Sequence, residues 1–422
     1  MNNEKTMNTD VLVVGGGPAG FAAAYTAASH GANVVLVEQS GDIGGVSTTG
    51  LMSHWTGSCG SPLYHEILKR SAEKNEGEYH NRITQYIDPE KLKTLYLEML
   101  CEVNCKILLY TFADDAIMDG DKIIGITAVN KSGRYRIFAN TVVDSTGDGD
   151  IAAGSGAEYF KGRENDEKMQ PMTIMFKLGG VDTKNAAFLP SFETLYETPN
   201  GELQALAKEN LTLPLGHVLL YPSTLPGIVT CNMTNCTNVD GTKAEDLTKA
   251  TVICREQMDK IVDFLRNFAP GYKNCFIISS ASVVGVRETR HFAGKEKITE
   301  QDILNARVFD NWVVRDAHFD FDVHNMSGAG LDETGMQKKF PQKQWYTIPF
   351  GCLLPVKVEN LLLSGRNISG THLAHSSFRV MPICVGTGEA AGAAAALRTK
   401  NNCTLNEVSP AEIRKIIYGI EQ

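Results

Sequence analysis

The chain has 422 residues and a mass of 46.0 kDa, and 43% of its residues are hydrophobic and 21% charged. This length and ordinary globular composition predict two or three domains and exclude a single small binding module. The 40 basic and 49 acidic side chains give a net charge of −9, which disfavours nucleic acid as a partner because the overall field repels phosphate.

The first predicted element is a short apolar strand that runs into a glycine-rich turn and an alanine-rich helix. Val11 to Val14 form the strand, and the turn follows at once. Gly15 allows the sharp turn, Gly17 lets the backbone approach a pyrophosphate, and Gly20 lets the helix pack close to the strand. The helix N-terminus offers free N–H groups to phosphates. The residues predicted to bind a dinucleotide here are Gly15, Gly17, Pro18, Ala19 and Gly20.

A second predicted strand, Asn33 to Val37, ends at an acidic residue, Glu38. A carboxylate at this strand end accepts hydrogen bonds from an adenosine ribose and repels a 2′-phosphate. The alternative is a solvated carboxylate at a strand tip. Because a complete strand, turn, helix and strand precede it, Glu38 is a predicted ribose ligand.

The loop after Glu38 favours FAD over NAD. Gly44, Gly45 and Thr48 belong to a small polar loop with backbone donors near where a second phosphate and a flavin would lie, and we predict that all three bind the cofactor. Residues 46–50 contain no cysteine. Disulfide exchange at a flavin is therefore disfavoured.

The next elements extend the nucleotide-binding sheet. Lys106 to Tyr110 predicts a strand, Ala116 to Phe138 a β-meander, and Asn140 to Val143 a strand that runs into a small acidic loop. In this loop Asp148 is predicted to lie by the ribityl or ribose hydroxyls. An ordinary Asp-Gly turn is the alternative.

The middle of the chain predicts a second, α+β domain. The alternating run Pro171 to Gly180 predicts a strand of a second sheet, and Val283 to Val286 predicts another strand. Helical spacing predicts helices over Leu203 to Asn210, Lys243 to Phe268 and Glu300 to Trp312.

The C-terminal part returns to the nucleotide-binding domain. Phe350 to Leu354 and Asn360 to Leu363 predict strands, Pro382 to Gly392 begins a helix, and Pro410 to Ile420 predicts a short amphipathic helix. A helix N-terminus aimed at the flavin pyrimidine would stabilise the charge that develops on reduction. No strand and acidic residue follow this second glycine motif, so one dinucleotide site is expected. Its predicted ligands in this part are Gly365, Arg366, Gly386 and Gly388.

These segments resemble the FAD-dependent oxidoreductases of the glutathione-reductase-like structural class, and most of all a bacterial group known as FAD-dependent oxidoreductase or xanthan lyase-like. The resemblance implies an α/β fold in which a discontinuous Rossmann-like FAD domain, residues 1–158 and 340–422, has a central parallel sheet and a β-meander. An inserted α+β substrate domain spans residues 159–339. No covalent attachment pattern is visible, so noncovalent FAD is expected. The matching segments are Val11 to Gly20, Glu38, Gly44 to Gly50, Asp144 to Asp150, Gly285 to Arg290 and Tyr346 to Leu397.

Five side chains are candidate catalytic groups. Arg287 can clamp a carboxylate or steady a reduced flavin. His372 and His375 precede the long C-terminal helix, where a histidine can shuttle a proton, and Arg379 can neutralise a reduced flavin or bind an anionic substrate. His54, just beyond the Gly44 loop, is the fifth candidate.

No metal site is expected. His318, Asp320, Asp322 and His324 alternate along the chain, but such alternation is more often typical of a polar solvent face. The ten cysteines include no CxxC pair, which indicates buried free thiols in a reducing compartment. No run approaches the ~20 apolar residues that cross a bilayer. These observations predict a cytoplasmic protein without a membrane partner.

We therefore predict an FAD-dependent oxidoreductase that transfers a hydride between flavin N5 and a small polar metabolite, either a sugar derivative or a hydroxy or keto acid. One alternative is a flavin-dependent enzyme that modifies RNA uridine, for which Cys59 is a thiol near the Gly44 loop. Another is a non-catalytic flavoprotein subunit. The electron acceptor and the oligomeric state, including a homo-oligomer, are left open.

Overall fold

The computed structural model describes residues 4–75, 85–332 and 345–420. The α-helices in these ranges are α1 (Pro18–Ser29), α2 (Pro62–Lys74), α3 (Pro89–Glu102), α4 (Asp150–Gly154), α5 (Leu203–Asn210), α6 (Ala244–Phe268), α7 (Glu300–Leu304), α8 (His372–Phe378), α9 (Met381–Asn401) and α10 (Pro410–Tyr418).

The strands fall into one large sheet and several smaller ones. They are β1 (Lys5–Val14), β2 (Val34–Val37), β3 (His54–Trp55), β4 (Gln85–Tyr86), β5 (Lys106–Leu108), β6 (Thr111–Asp119), β7 (Lys122–Asn130), β8 (Gly133–Asp144), β9 (Tyr159–Lys161), β10 (Phe176–Gly179), β11 (Glu197–Thr198), β12 (Gly201–Glu202), β13 (Leu220–Pro222), β14 (Val229–Cys231), β15 (Phe276–Ser280), β16 (Arg290–Phe292), β17 (Trp312–Ala317), β18 (Tyr346–Pro349) and β19 (Leu361–Leu363).

The large sheet has the order β5-β2-β1-β8-β7-β6, and β19 also pairs with β8. Strands β5, β2, β1, β8 and β19 are parallel, whereas β6 and β7 join β8 as an antiparallel meander. Residues Val11 to Val14 are buried on both faces, as expected for a parallel sheet covered by helices. The predicted Rossmann-like α/β fold with its meander is confirmed.

Helices α1 and α9 pack closely against each other beside this sheet. Two glycines of α9 make the approach possible. A Cβ added at Gly388 would overlap the carbonyl oxygen of Ala19, and one added at Gly392 would overlap that of Ala23. This helix pair therefore depends on positions that carry no side chain.

The second sheet is antiparallel, with the order β13-β14-β10-β15. One face carries Phe176, Leu178 and Val229 into a second hydrophobic core, to which α6 contributes Met258 and Leu265. The prediction of α5 agrees at both ends, and that of α6 agrees within one residue. The strand predicted from Pro171 is shorter and begins at Phe176.

Three predicted elements are wrong. The helix expected over Glu300 to Trp312 ends at Leu304, and its continuation contains Ala306 at φ 51° before β17 begins at Trp312. The strand expected over Phe350 to Leu354 is a 3-10 turn, because the Gly351 N–H turns to the Glu296 carboxylate. Val283 to Val286 forms no strand beyond a single bridge of Gly285 with Thr173.

Two other features concern chain organisation. The predicted boundary between residues 339 and 340 lies outside the described residues. Within the described ranges, no single helix is long and apolar enough to cross a bilayer. Helices α8 and α9 reach that length together, but they are bent by 91° at their junction, and α9 is largely buried in the protein.

Candidate active site

The carboxyl ends of four parallel strands bring the predicted cofactor residues to one edge of the large sheet. Strand β1 leads into Gly15, β2 into Glu38, β8 into Ser145 and β19 into Ser364. Ligands of open α/β sheets bind at this edge. Chain segments that are far apart in sequence therefore meet here.

The turn after β1 has the conformation that the glycine pattern predicts. Gly15 has φ 93°, and a Cβ there would overlap the Ser145 carbonyl oxygen. The Glu38 carboxylate closes the turn, since its Oε2 accepts a hydrogen bond from the Gly16 N–H at 2.6 Å and its Oε1 accepts one from the Ser40 N–H at 2.7 Å. Pro18 and Ala19 begin α1, so the free N–H groups of that helix point out of this edge.

The surroundings of Gly17 fit a bound dinucleotide. A Cβ added there would meet no atom within 4 Å, although the neighbouring glycines are tightly packed. The loop containing Gly44 and Gly45 lies beside it, at 3.2 Å from the Gly45 Cβ position to the Gly17 Cα. Among the described residues, the buried hydroxyls of Ser145 and Ser364 have no hydrogen-bond partner. An open cradle with orphaned hydroxyls is what the phosphates and sugars of such a cofactor would fill.

Four more of the predicted ligands have protein contacts of their own. The Thr48 hydroxyl donates to the Ile43 carbonyl oxygen at 2.9 Å. The Asp148 carboxylate accepts from Arg366 at 3.0 Å and from the Thr289 hydroxyl at 2.7 Å. Gly365, at φ 94°, lies beside Ala19. Asp148 and Arg366 thus form an ion pair at the cofactor edge, and their cofactor contacts stay predictions.

Gly386 and Gly388 have a different position from the predicted one. Helix α9 begins at Met381, so both glycines lie inside the helix and not at its N-terminus. Gly388 faces α1, and a Cβ on Gly386 would lie 3.3 Å from the Cys59 sulfur. Their surroundings give them a packing role.

Two arginines, one aspartate and two histidines form a largely buried polar group; we call it the arginine cluster (Arg287, Arg379, Asp322, His324 and His217). Arg379 Nη2 donates to the Asp322 carboxylate at 3.0 Å and to its carbonyl oxygen at 2.7 Å. His324 Nε2 lies 3.5 Å from the same carboxylate. Arg287 Nη1 instead donates to two neutral acceptors, the Pro171 carbonyl oxygen at 2.5 Å and the Thr173 hydroxyl at 2.6 Å.

The pKa values of this cluster follow from burial and mutual charge. Burial and the charge of Arg379 lower the pKa of Arg287 to about 10. Burial alone would raise the pKa of Asp322, but His324 and Arg379 lower it well below its usual range. Burial lowers the pKa of His217 to about 3 and that of His324 to about 4. Near neutral pH the cluster therefore holds two cations, one anion and two neutral imidazoles.

Glu288 and three histidines form a second buried group, the Glu288 cluster (Glu288, His291, His372 and His375). Glu288 Oε1 accepts from His372 Nδ1 at 2.5 Å and from His291 Nε2 at 2.9 Å. Burial by itself raises the pKa of Glu288, but these two hydrogen bonds hold it well below its usual range. Burial and His291 lower the pKa of His375 strongly. His372 Nε2 has no partner among the described residues.

This cluster also offers metal donors. One ligand atom from each of Glu288, His291 and His375 lies within 4.8 Å of the others. A carboxylate with two imidazoles is a set that Zn²⁺ or Fe²⁺ accepts. In the structure the carboxylate already accepts hydrogen bonds from His291 and His372, and this hydrogen bonding accounts for the arrangement.

His54 lies near the arginine cluster, with the Tyr221 ring between them. Its ring stacks on Tyr221 at 4.1 Å, and the charges of Asp322 and Arg287 act on the Tyr221 hydroxyl, whose pKa burial raises. Burial lowers the pKa of His54 to about 4. The structure thus brings Arg287, Arg379 and His54 together, and His372 and His375 lie in the adjacent cluster.

The comparisons with known proteins agree with this geometry. The model of the family described as FAD dependent oxidoreductase matches residues 10–417. The chain belongs to that family. FAD is accordingly the cofactor of this enzyme, whereas the narrower resemblance to the xanthan lyase-like group stays a prediction.

Curated relatives of this oxidoreductase match it over short stretches. A thiamine thiazole synthase of Methanococcus aeolicus is 29% identical over 157 residues, which is 33% of the chain. The match spans about half (56%) of that protein's own length. A urocanate reductase of Eggerthella lenta is 60% identical over 40 residues, 10% of this chain and 7% of that protein.

Among solved structures, p-nitrophenol 4-monooxygenase of Pseudomonas putida is similar over 98% of this chain and 86% of that chain. Its TM-score is 0.53 and its identity 12%. A geranylgeranyl bacteriochlorophyll reductase-like protein of Thermoplasma acidophilum has a TM-score of 0.50 at 13% identity, over 97% and 82% of the two chains. These likenesses show the fold.

Several residues of the oxidoreductase site were missed or misassigned from sequence. The alternation of Asp322 and His324 predicts a polar solvent face, but the segment is not a strand. Asp322 instead accepts a hydrogen bond from Arg379 and lies beside His324. Glu288, which is not among the sequence-predicted candidates, pairs with His291 and His372. Tyr221 and His217 carried no recognisable signal, because only the folded second sheet places them beside Arg287.

The buried imidazoles predict an acid-sensitive fold. His54, His217 and His324 have pKa values of about 4, 3 and 4, below the ~6.5 of unfolded histidine. Below pH ~6.5 the unfolded chain binds protons that the folded chain refuses, so stability is full above that pH and falls as the pH drops toward 4. Each unit of pKa difference corresponds to about 1.4 kcal/mol. We expect the urea midpoint to fall steeply between pH 7 and pH 5.

Two variants test whether the buried histidines cause this pH dependence of stability. His217→Gln should remove about one linked proton from the pH dependence. His30→Gln, at the exposed end of α1, should leave the slope unchanged. A midpoint that stays constant between pH 7 and pH 5 would show that the buried histidines are not held neutral.

Proposed function

We propose that this enzyme exchanges a hydride between flavin N5 and a small carboxylic acid, oxidising a hydroxy acid or reducing a keto acid, and that neutral sugar derivatives are poor substrates. The arginine cluster carries the proposal. It contains the buried guanidinium group of Arg287, that of Arg379, which is 12% exposed, and one carboxylate, so one positive charge has no protein counterion within the cluster. A substrate carboxylate would supply the missing charge in a bidentate geometry that arginine favours.

Each side chain has a task in this proposal. Arg287 and Arg379 bind and orient the carboxylate, which places the carbon beside it for hydride transfer. FAD supplies the hydride acceptor or donor. His372 handles the hydroxyl proton, because Glu288 fixes its Nδ1 side and leaves Nε2 without a partner among the described residues. His375 is a neutral imidazole of the same cluster, and His54 is a neutral imidazole that stacks on Tyr221.

The uridine-modifying alternative loses its candidate nucleophile. The Cys59 thiol is buried, donates to the Pro382 carbonyl oxygen at 2.9 Å, and has a pKa that burial raises. A reactive cysteine needs the opposite, an exposed thiol of lowered pKa. The net charge of −9 also opposes RNA binding.

Matched substrate pairs test the proposed function. FAD-loaded protein is mixed without oxygen with 2-hydroxy acids and with the polyols in which a hydroxymethyl group replaces the carboxylate. We expect the visible absorbance of oxidised flavin to bleach with an acid and not with its polyol, and keto acids to reoxidise the reduced protein. Equal bleaching by acid and polyol would contradict the carboxylate role. A coloured protein that no acid or polyol reduces would favour the non-catalytic subunit.

A further inference from the structure

The face of the second sheet opposite its hydrophobic core carries a buried lysine. Lys177 lies between Phe176 and Leu178 on β10, and those two neighbours point into the core. Strand alternation therefore directs Lys177 to the other face. Its side chain is 7% exposed. Within residues 4–75, 85–332 and 345–420, its ammonium group makes no hydrogen bond and no ion pair.

Lys177 shares this face with residues of the candidate active site. In the antiparallel register Lys177 pairs with Thr230, and Thr230 pairs with Tyr221. Side chains at such pairs lie on one face, about 5 Å apart from strand to strand. Tyr221 stacks on His54, and the Thr230 hydroxyl is 2.8 Å from that of Ser53. Lys177 therefore lies on the face of the second sheet that covers Ser53 and His54.

The Lys177 side chain is largely covered and its ammonium group has no protein counterion, so a ligand anion beside it would supply one. The remaining charges of the site do not balance it. Lys177, Arg287 and Arg379 are cationic and Asp322 is anionic, while burial keeps His54, His217 and His324 neutral. Lys177 and the arginine cluster together therefore have an excess of two positive charges.

We infer that Lys177 is a second anion anchor and that the substrate class is a small dicarboxylate, a hydroxy or keto diacid with one carboxylate held by the arginine cluster and the other by Lys177. The inference rests on the proposed function and narrows it. Two anionic groups match the two uncompensated charges. Lys177 and Tyr221 lie on one sheet face with Thr230 between them, and the charge of Arg287 acts on the Tyr221 hydroxyl, so one compact acid would extend between the two anchors.

A binding experiment tests the inference without turnover. The probes are succinate, a dianion, and butyrate, a monoanion of the same carbon number, neither of which carries a hydroxyl group. Each is titrated into oxidised FAD-loaded protein, and Kd is read from the change in the flavin spectrum and from calorimetry. We expect succinate to bind at least about tenfold more tightly than butyrate, the range of one hydrogen bond to a charged group.

Variants of Lys177 test whether this residue causes the difference between the succinate and butyrate Kd values. Lys177→Met should remove the preference for succinate and leave the butyrate Kd unchanged, whereas Lys177→Arg should retain the preference. Lys184→Met, an exposed lysine on the same domain, is the matched control. If Lys177→Met does not fold, the comparison of the two probes on the natural protein and on Lys177→Arg still decides the question.

The outcomes separate this inference from the proposed function. Equal binding of both probes, or a succinate preference that survives Lys177→Met, overturns the lysine anchor and leaves the carboxylate site intact. Failure of both probes to bind contradicts the proposed function itself. A lower flavin midpoint potential in Lys177→Met with an unchanged ratio of Kd values would assign the lysine to the reduced cofactor and overturn the inference.

Discussion

Gly17→Ala is expected to leave the apoprotein folded and to weaken FAD binding by about 100-fold, which corresponds to about 2.7 kcal/mol. Gly17 has an ordinary φ of −65°, which alanine adopts easily, and its Cβ would enter open space. That space lies at the N-terminus of α1, where the predicted pyrophosphate would lie. The added methyl group therefore meets the cofactor and nothing in the protein.

Gly388→Ala should give the opposite result. Its Cβ would overlap a backbone oxygen of α1, which cannot rotate away, so α1 and α9 must separate. Overpacking of this kind costs about 3 kcal/mol. Chemical denaturation of the apoproteins and FAD titration of each variant measure both effects. Gly328→Ala, where an added Cβ would meet atoms only at 3.7 Å, is the neutral control.

Measuring both FAD affinity and stability for each glycine variant distinguishes a cofactor role from a packing role. If Gly17→Ala binds FAD as tightly as the natural protein, the open cradle does not hold the pyrophosphate. If Gly388→Ala keeps its stability but loses FAD, the glycine contacts the cofactor as the sequence predicted, and the packing role is wrong.

The sequence predicts the cofactor edge well because its signals are local. The turn at Gly15, the helix after it and the acidic end of the next strand each follow from neighbouring residues, and the structure has them within one or two positions. The same holds for α5, whose spacing is sufficient to place both ends. Local patterns of this kind survive folding because backbone geometry alone enforces them.

The two charged clusters and the packing of α9 depend on contacts between distant residues, which no local sequence pattern encodes. Glu288 and His372 are 84 residues apart, and Arg379 and Asp322 are 57 apart. Gly388 is part of a glycine motif that is equally typical of helix packing and of nucleotide binding, and only the position of α1 distinguishes the two. Lys177 alternates with core residues like a solvent-facing lysine, yet its face is covered. Sequence periodicity shows that a strand has two faces and not what covers the second.

Arg287→Met is expected to lower kcat/KM for the acid substrate by about 1000-fold, or about 4 kcal/mol of transition-state stabilisation. Its guanidinium group donates only to a carbonyl and a hydroxyl in the contacts of Nη1, so no protein carboxylate loses its partner when it is removed. Methionine keeps much of the buried volume. The loss should therefore fall on substrate binding and orientation, with FAD content and unfolding midpoint close to those of the natural protein.

Arg379→Met should differ in stability. Arg379 holds the Asp322 carboxylate, and its removal leaves that carboxylate without its hydrogen-bonded cation, beside the neutral His324 imidazole, at a cost of about 3 to 5 kcal/mol. Arg255→Met, on the exposed side of α6, is the control for loss of a surface arginine and should change neither property.

Butyrate binding to the oxidised protein separates the two roles that Arg287 could have. If Arg287 clamps a carboxylate, Arg287→Met weakens butyrate and lowers kcat/KM together, and the flavin midpoint potential stays the same. If it steadies the reduced flavin, butyrate binds as before and the potential falls, because the cation that favours an anionic reduced cofactor has gone. The charge of Arg379 lowers the pKa of Arg287, so the two guanidinium groups repel each other. An anionic ligand between them would relieve that repulsion, whereas a neutral ligand would not.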